Sequence, residues 1–280
     1  MFEEIVLSRS IIIYFFSLFL IGFFTLIYNS IKKRKIELNV QLSQESWINF
    51  CLLIWSLLMI MFFVEQLFFK SSSLLPKPWN QVTLGFIMQL ATLFFIILST
   101  KFFPRLFGFP INSKTASILN AIKEGILSFL EALPLIFLIA LFWSFIPKIW
   151  NFFGITVSLQ HQELVELFLQ SNSKWFMITI ILFGTIIAPI TEEIIFRGGI
   201  YRFLKSKINP LFALTISAVI FAWIHNNLLS FLPLVLMGLL LARSYEKTGH
   251  ILTPIVFHSL FNANTLVLLL LSPNFTLLHS

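Results

Sequence analysis

Two adjacent carboxylates, Glu192 and Glu193, close a long apolar stretch that begins near Trp175. A carboxylate in hydrocarbon is costly unless it is compensated, so acids within a membrane segment mark functional sites. In a helix, Glu193 and Arg197 stand at i and i+4 with the acid N-terminal, the order that favours an ion pair. Glu192 lies about 100° around the helix and lacks such a partner. The pattern predicts a structural Glu193 and a Glu192 free to act as a base.

Polar groups recur in two later apolar stretches. His225 ends the run that begins at Phe221, while His258 and Asn262 stand at i and i+4 and share one helix face. Glu192 and His225 each lie about 24 Å from the turn between their helices, at 1.5 Å per residue, so an antiparallel hairpin brings them level. An acid and an imidazole can deprotonate a water, and a second His and an Asn can donate hydrogen bonds to an oxyanion. The set therefore has the parts of a hydrolase.

The same side chains could instead hold a metal ion. Two histidines and a carboxylate with an open position form a known hydrolytic zinc set, for which the candidates are Glu192, His225 and His258. The single cysteine, Cys51, excludes a cysteine metal cluster and an intramolecular disulfide. The residue types leave a zinc-bound water and a metal-free water as alternatives.

The chain that carries these residues is strongly apolar. Of 280 residues, 58% are hydrophobic and only 11% are charged, whereas soluble domains carry about 25% charged residues. Apolar runs of about 20 residues have the length that crosses a bilayer, and the sixth and seventh are short. They lie near 10–31, 48–69, 82–100, 126–147, 175–194, 210–225, 228–243 and 251–272. The predicted fold class is all-α, a polytopic transmembrane helix bundle of about eight spans.

The positions of the basic residues argue against nucleic acid as a partner, although the formal net charge is +7. Most of the 19 Lys and Arg fall on alternate flanks of the apolar runs, including the clusters 32–35 and 197–207. This asymmetry follows the positive-inside rule and predicts that 197–207 faces the cytoplasm. The expected environment is the lipid bilayer, in the plasma membrane of a prokaryote or in an organelle membrane.

Three features outside the paired acids carry expectations of their own. The segments 112–124 and 158–170 have helical apolar spacing with polar opposite faces, so each is predicted to lie in the membrane interface. Glu131 lies close to a helix end, where a charge is tolerated, so a structural or interfacial role is expected. The first apolar run is followed by basic residues, the reverse of a signal peptide, and is expected to remain as an anchor.

The polar residues form three ordered motifs that resemble the signatures of the CPBP family of intramembrane proteases. This family includes the type II CAAX prenyl endopeptidases and the Abi proteins linked to bacteriocin immunity. The resemblance covers roughly residues 175–272, and no motif is recognised in the first four helices. The motifs are Glu192-Glu193-x-x-x-Arg197, Phe221-x-x-x-His225 and His258-x-x-x-Asn262.

The resemblance implies a role for each motif residue. Glu192 and His225 would activate the water, and His258 and Asn262 would form the oxyanion hole. The supporting residues would be Glu193, Arg197 and Phe221. Members of the family have been described both as metalloproteases and as metal-independent glutamate-type proteases, so the zinc alternative stays open.

The predicted organisation places N-terminal transmembrane helices and interfacial connections in 1–172, and the catalytic region in 173–280. The predicted function is an intramembrane endopeptidase that cleaves membrane-associated or lipidated proteins in a cavity open to the cytoplasm. The alternatives are a non-catalytic immunity or scaffold protein and an ion-coupled transporter, which the lack of inverted repeats disfavours. Prenylation of the substrate and the oligomeric state are left open.

Overall fold

The structure, a computed structural model, describes residues 9–31, 39–40, 42–71, 77–102, 117–154, 165, 167–168 and 173–271. Within these residues the chain forms nine helices and no strand, which confirms the predicted all-α class. The first five helices are α1 (Arg9–Ile31), α2 (Trp47–Ser71), α3 (Lys77–Phe102), α4 (Ile118–Trp143) and α5 (Ile146–Phe152). The others are α6 (Lys174–Lys207), α7 (Pro210–Ile224), α8 (Phe231–Thr248) and α9 (Leu252–Leu270).

Six of these helices, α1 to α4, α6 and α9, are long and apolar enough to cross a membrane. Their outward side chains include exposed aromatic residues such as Phe16, Trp55 and Phe94, as expected of surfaces that face lipid. The two runs that the sequence marks as short form α7 and α8, of 15 and 18 residues. The chain is therefore a multi-pass integral membrane protein.

The boundary of α4 differs from the sequence prediction. The helix begins at Ile118, where the Ser117 side chain accepts a hydrogen bond from the Asn120 backbone N–H, and not near 126. The described part of the segment 112–124 is therefore the cap and first turns of α4, continuous with the rest of that helix, and its position in the membrane interface stays a prediction. Lys123 and Glu124 interrupt the hydropathy at this point without interrupting the helix. The segment 158–170 lies outside the described residues except for 165, 167 and 168.

The long helix α6 contains two π-helical segments, Phe183–Ile187 and Ile194–Tyr201. Between them lies the short α-helical stretch Ala188–Glu193, which carries both acids of the first motif. A π-helical turn is rare, occurs frequently at functional sites, and shifts the following side chains around the helix axis. The direction in which the paired acids point therefore depends on these two segments.

Close helix contacts hold α6 to α9 together with α4. A Cβ atom added to Gly238 of α8 would lie 2.9 Å from the Cα and Cβ atoms of Ala218 in α7. One added to Gly125 of α4 would lie 2.8 Å from the Thr253 carbonyl oxygen in α9. Small residues at such crossings let helix backbones approach closely in membrane proteins. These contacts determine how the helices that carry the motifs are spaced.

A buried ionic cluster joins the ends of α6 and α8 to the segment before α2. Glu246 Oε1 accepts hydrogen bonds from Tyr201 Oη at 2.6 Å and Lys205 Nζ at 2.5 Å, and Oε2 accepts one from the Val40 N–H at 3.1 Å. Lys205 and Arg202, which the sequence counts among the cytoplasmic basic residues, are both buried. Their side chains therefore pack within the protein and do not face an aqueous phase.

The acid Glu131 joins three helices. Its carboxylate accepts a hydrogen bond from Lys247 Nζ of α8 at 2.9 Å and another from the Asn29 side chain of α1. A carboxylate with a cationic partner and a hydrogen-bond donor is compensated at membrane depth. These contacts fit the structural role expected for Glu131.

Candidate active site

Glu193 lies at the centre of a fully buried polar cluster. Its Oε1 accepts a hydrogen bond from Arg197 Nη1 at 2.8 Å and lies 2.8 Å from His258 Nδ1. Arg197 is 1% exposed and Glu193 is 0% exposed. The second guanidinium nitrogen, Arg197 Nη2, donates to the Gly238 carbonyl oxygen at 3.1 Å. The predicted pair of Glu193 with Arg197 is present, and it also reaches the last helix through His258.

Glu192 has a different environment from its neighbour. Its side chain is 20% exposed, and its Oε2 lies 3.8 Å from His225 Nε2 and 3.9 Å from His258 Nε2. These separations are too long for direct hydrogen bonds. The Oε2 atom is buried and makes no hydrogen bond to any residue that the structure describes. Two neighbouring acids thus have distinct surroundings, one paired and one facing two imidazoles.

The tautomers of the two histidines follow from their partners. His225 Nδ1 lies 2.7 Å from the Phe221 carbonyl oxygen, which can only accept, so Nδ1 carries the hydrogen. His258 Nδ1 donates in the same way to the Glu193 carboxylate, which is paired with Arg197. In the neutral rings, both Nε2 atoms therefore present a lone pair toward Glu192. Partners at Nδ1 also fix the ring orientations.

Phe221 packs between the two histidines and the arginine. Its ring centroid lies 4.7 Å from that of His225 and 5.8 Å from that of His258. The guanidinium carbon of Arg197 lies 4.6 Å from the same centroid, within the range of a cation–π interaction. The fully buried ring thus contacts all three ionisable side chains, which explains why an aromatic residue suits this position.

Asn262 lies one turn beyond His258 on α9, and its Nδ2 donates to the Gly184 carbonyl oxygen at 2.8 Å. Gly184 belongs to the first π-helical segment of α6. An amide nitrogen carries two hydrogens, so one remains for another acceptor. The sequence identifies Asn262, whereas a partner 78 residues away has no signal in the local pattern.

One cavity brings the candidate residues together. It has a volume of about 570 Å³, and Glu192, His225, His258 and Asn262 all line it. Such a volume lies within the usual range for ligand sites, about 300–1,000 Å³. Apolar walls come from residues that include Phe183, Leu234 and Phe261.

Helix α3 contributes a polar wall of this cavity that the sequence analysis missed. Gln81, Gly85 and Gln89 line the cavity and recur every four residues along α3. This spacing places the three residues on one helix face. Two glutamines on one face of a mostly apolar membrane helix are the sequence pattern that could have indicated this polar wall. The site is therefore not confined to the three motifs.

The zinc set predicted as an alternative was Glu192, His225 and His258. Among the residues that the structure describes, no group of three or more His, Cys, Asp or Glu side chains is arranged to hold a metal ion. The two Nε2 atoms face the same carboxylate oxygen, at 3.8 and 3.9 Å. The zinc-bound water and the metal-free water therefore stay alternatives.

A polytopic helical membrane protein with a buried acid, two imidazoles and an amide around one cavity has the architecture of an intramembrane hydrolase. Residues 174–264 match the family model of Rce1-like type II CAAX prenyl endopeptidases. The matched segment runs from the start of α6 into α9 and contains all three motifs. This part of the chain therefore carries a domain of that family, which confirms the resemblance seen in the sequence.

Three curated relatives each match about a third of the chain. YdiL of Bacillus subtilis, named as a proposed membrane peptidase, is 39% identical over 88 residues, which are 31% of this chain and 36% of YdiL. The membrane-embedded CAAX protease MroQ of Staphylococcus aureus is 34% identical over 100 residues, 33% of this chain and 40% of MroQ. The UPF0177 protein YaiH of Lactococcus lactis is 38% identical over 82 residues, 28% of this chain and 32% of YaiH.

The chain spans between 32% and 40% of the length of these relatives. No solved structure matches the chain. The family model covers the helices that carry the motifs and not α1 to α4.

Proposed function

We propose that this protein is an intramembrane endopeptidase in which Glu192 and His225 activate the attacking water. The observation that carries the proposal is the convergence of three polar atoms at the cavity. Glu192 Oε2 has no hydrogen-bond partner among the described residues, and it lies 3.8 and 3.9 Å from the two Nε2 atoms. Polar groups at such separations are commonly bridged by a water molecule.

In this proposal the water donates one hydrogen bond to Glu192 and is oriented by His225 Nε2. Glu192 removes a proton, and the resulting hydroxide attacks the carbonyl carbon of the scissile peptide bond. The tetrahedral intermediate then collapses, the carbon–nitrogen bond breaks, and the proton returns from Glu192 to the leaving amine. The acid is regenerated as a carboxylate, so no group is consumed.

The oxyanion of the intermediate would be stabilised by His258 and Asn262. Asn262 offers the Nδ2 hydrogen that is not donated to Gly184. His258 donates from Nε2 when its ring is protonated at both nitrogens, and Glu193 is then the counter-ion at Nδ1. Removing one donor of this kind typically reduces kcat by about 10²–10³.

The proposed substrates are membrane-associated or lipidated proteins that present an extended segment to the cavity. The apolar cavity walls favour a substrate with apolar side chains near the cleaved bond. The predicted opening toward the cytoplasm rests on the basic residues of 197–207, but His225 and Leu269 line the cavity at the helix ends away from that segment, which argues against it. The proposal does not require a prenyl group.

The test is a comparison of protein termini by mass spectrometry in membranes that contain the native protein or Glu192→Gln at matched expression. Glu65→Gln is the matched control, because Glu65 also lies in an apolar helix but does not line the cavity. Peptide ends that appear with the native protein and Glu65→Gln, and disappear with Glu192→Gln, are expected. Cleavage that persists in Glu192→Gln would refute the proposed base.

Metal dependence is tested on the purified native enzyme. Metal content and the effect of a chelator are measured on the cleavage that depends on Glu192. If cleavage is unchanged by a chelator that removes all bound zinc, the water is activated by protein groups alone. Loss of cleavage with the chelator, restored by zinc, would instead show that the three side chains rearrange around an ion.

A further inference from the structure

The hydrogen bonds of α6 leave one backbone carbonyl for a partner outside the helix. In the first π-helical segment, the Ala188 N–H donates to the Phe183 carbonyl oxygen, five residues earlier. The next donor in the same register would be residue 189, and its acceptor would be the Gly184 carbonyl. Residue 189 is proline, which has no backbone N–H. Gly184 therefore loses the donor that a π-helical turn would otherwise supply.

The Gly184 carbonyl oxygen instead accepts a hydrogen bond from Asn262 Nδ2 of α9, at 2.8 Å. Gly184 is buried, and a buried carbonyl without a donor is unfavourable. The Asn262 amide on α9 thus supplies the hydrogen-bond donor that α6 does not provide to the Gly184 carbonyl. Both residues line the cavity, so this bond lies at the candidate site itself.

We propose that Pro189 is a positioning residue, which frees the Gly184 carbonyl so that it orients the Asn262 amide for the reaction. The inference rests on the proposed function, in which Asn262 donates to the oxyanion. Pro189 acts through the amide and requires no contact with substrate.

The orientation matters because an Asn side chain has a donor end and an acceptor end of similar size. The Gly184 carbonyl can only accept a hydrogen bond, so it selects the rotamer in which Nδ2 lies toward α6. The second Nδ2 hydrogen is then available to an oxyanion. In the flipped rotamer, Oδ1 would face the Gly184 carbonyl, and the two acceptors would repel each other.

Pro189→Ala tests this inference, because it supplies an N–H that competes for the Gly184 carbonyl. Alanine is the most favourable residue in a helix interior, so the variant is expected to fold. The initial rate at which Glu192-dependent termini appear is expected to fall about tenfold to a hundredfold, the effect of a small misplacement at a reacting centre. Pro134→Ala is the matched control, since Pro134 also lies inside a helix but does not line the cavity.

A double-mutant cycle separates positioning from a general structural effect. If Pro189 acts through Asn262, Pro189→Ala combined with Asn262→Ala is no slower than Asn262→Ala alone. If Asn262→Ala leaves no measurable rate, kinetics with an identified peptide substrate decide the question. Positioning predicts that Pro189→Ala lowers kcat and leaves KM unchanged.

Three results would overturn the inference while leaving the proposed protease intact. These are a native rate in Pro189→Ala, an equal loss in both backgrounds of the cycle, and a loss that appears only in KM. Absence of any Glu192-dependent cleavage by the native protein would instead refute the proposed function, and the inference with it.

Discussion

At the residue scale, the two neighbouring acids differ because of what surrounds them. Glu193 is fully buried and its Oε1 is bonded to Arg197 and His258, whereas the Glu192 side chain is 20% exposed and its Oε2 lies 3.8 and 3.9 Å from two imidazole nitrogens. Burying a charge is costly unless it is paired and hydrogen-bonded. The paired acid therefore contributes to the fold, and the unpaired acid is the one that suits chemistry.

This difference predicts opposite effects of the same substitution on stability. Glu193→Gln leaves Arg197 as a buried cation without a counter-ion at this position, and should destabilise the protein by about 3–5 kcal/mol. Glu192→Gln removes an unpaired charge and should unfold at the native temperature or above. Thermal unfolding of the two variants in the same detergent makes the comparison. A lower unfolding temperature for Glu192→Gln than for Glu193→Gln would contradict it.

At the scale of elements, the contact between α7 and α8 positions the backbone carbonyl that accepts a hydrogen bond from Arg197. Gly238 of α8 accepts from Arg197 through its carbonyl and lies against Ala218 of α7. Helix spacing and the buried ion pair are therefore coupled at one residue.

Gly238→Ala is predicted to destabilise the protein by about 1–3 kcal/mol, because interiors tolerate extra volume poorly. The new Cβ would lie 2.9 Å from the Cα and Cβ atoms of Ala218, which must move away. Adding Ala218→Gly removes the Cβ that it meets and should restore part of the stability. Thermal unfolding and Glu192-dependent cleavage are measured on the single and double variants. If the second substitution brings no recovery, this contact is not the cause of the loss.

At the scale of the whole molecule, the cavity is assembled from two parts of the chain. The motifs lie within residues 174–264, which match the protease family, whereas Gln81 and Gln89 of α3 lie outside that segment and still line the cavity. In the proposed protease, the matched segment supplies the chemistry, and α3 supplies a wall that a substrate would contact.

Replacing both glutamines by leucine should therefore change which peptides are cleaved and leave the fold intact. Loss of side-chain amides that bind substrate equally in the ground and transition states raises KM with kcat unchanged. The set of Glu192-dependent termini is compared between the native protein and Gln81→Leu combined with Gln89→Leu. Ile87→Leu, on the same helix but not lining the cavity, is the control. An unchanged set of termini and an unchanged KM would show that α3 takes no part in substrate selection.

The sequence by itself determined the features that depend on local spacing and composition. The apolar runs predicted the helices, and the i, i+4 spacing of Glu193 with Arg197 predicted their ion pair, because neighbours on one helix turn are held together by the helix itself. It also identified the three motifs and hence the protease family. It missed the start of α4, because Lys123 and Glu124 interrupt the hydropathy but not the helix.

Only the tertiary structure decided which groups on different helices meet. It joined His258 to Glu193, Asn262 to the Gly184 carbonyl, and α3 to the cavity. Such contacts depend on how far each helix is rotated and how closely the helices approach. The π-helical turns of α6 and the small residues at helix crossings determine both quantities. Both must be accurate, because a hydrogen bond is lost when the donor–acceptor distance increases by less than 1 Å. No pattern within a single helix carries that information.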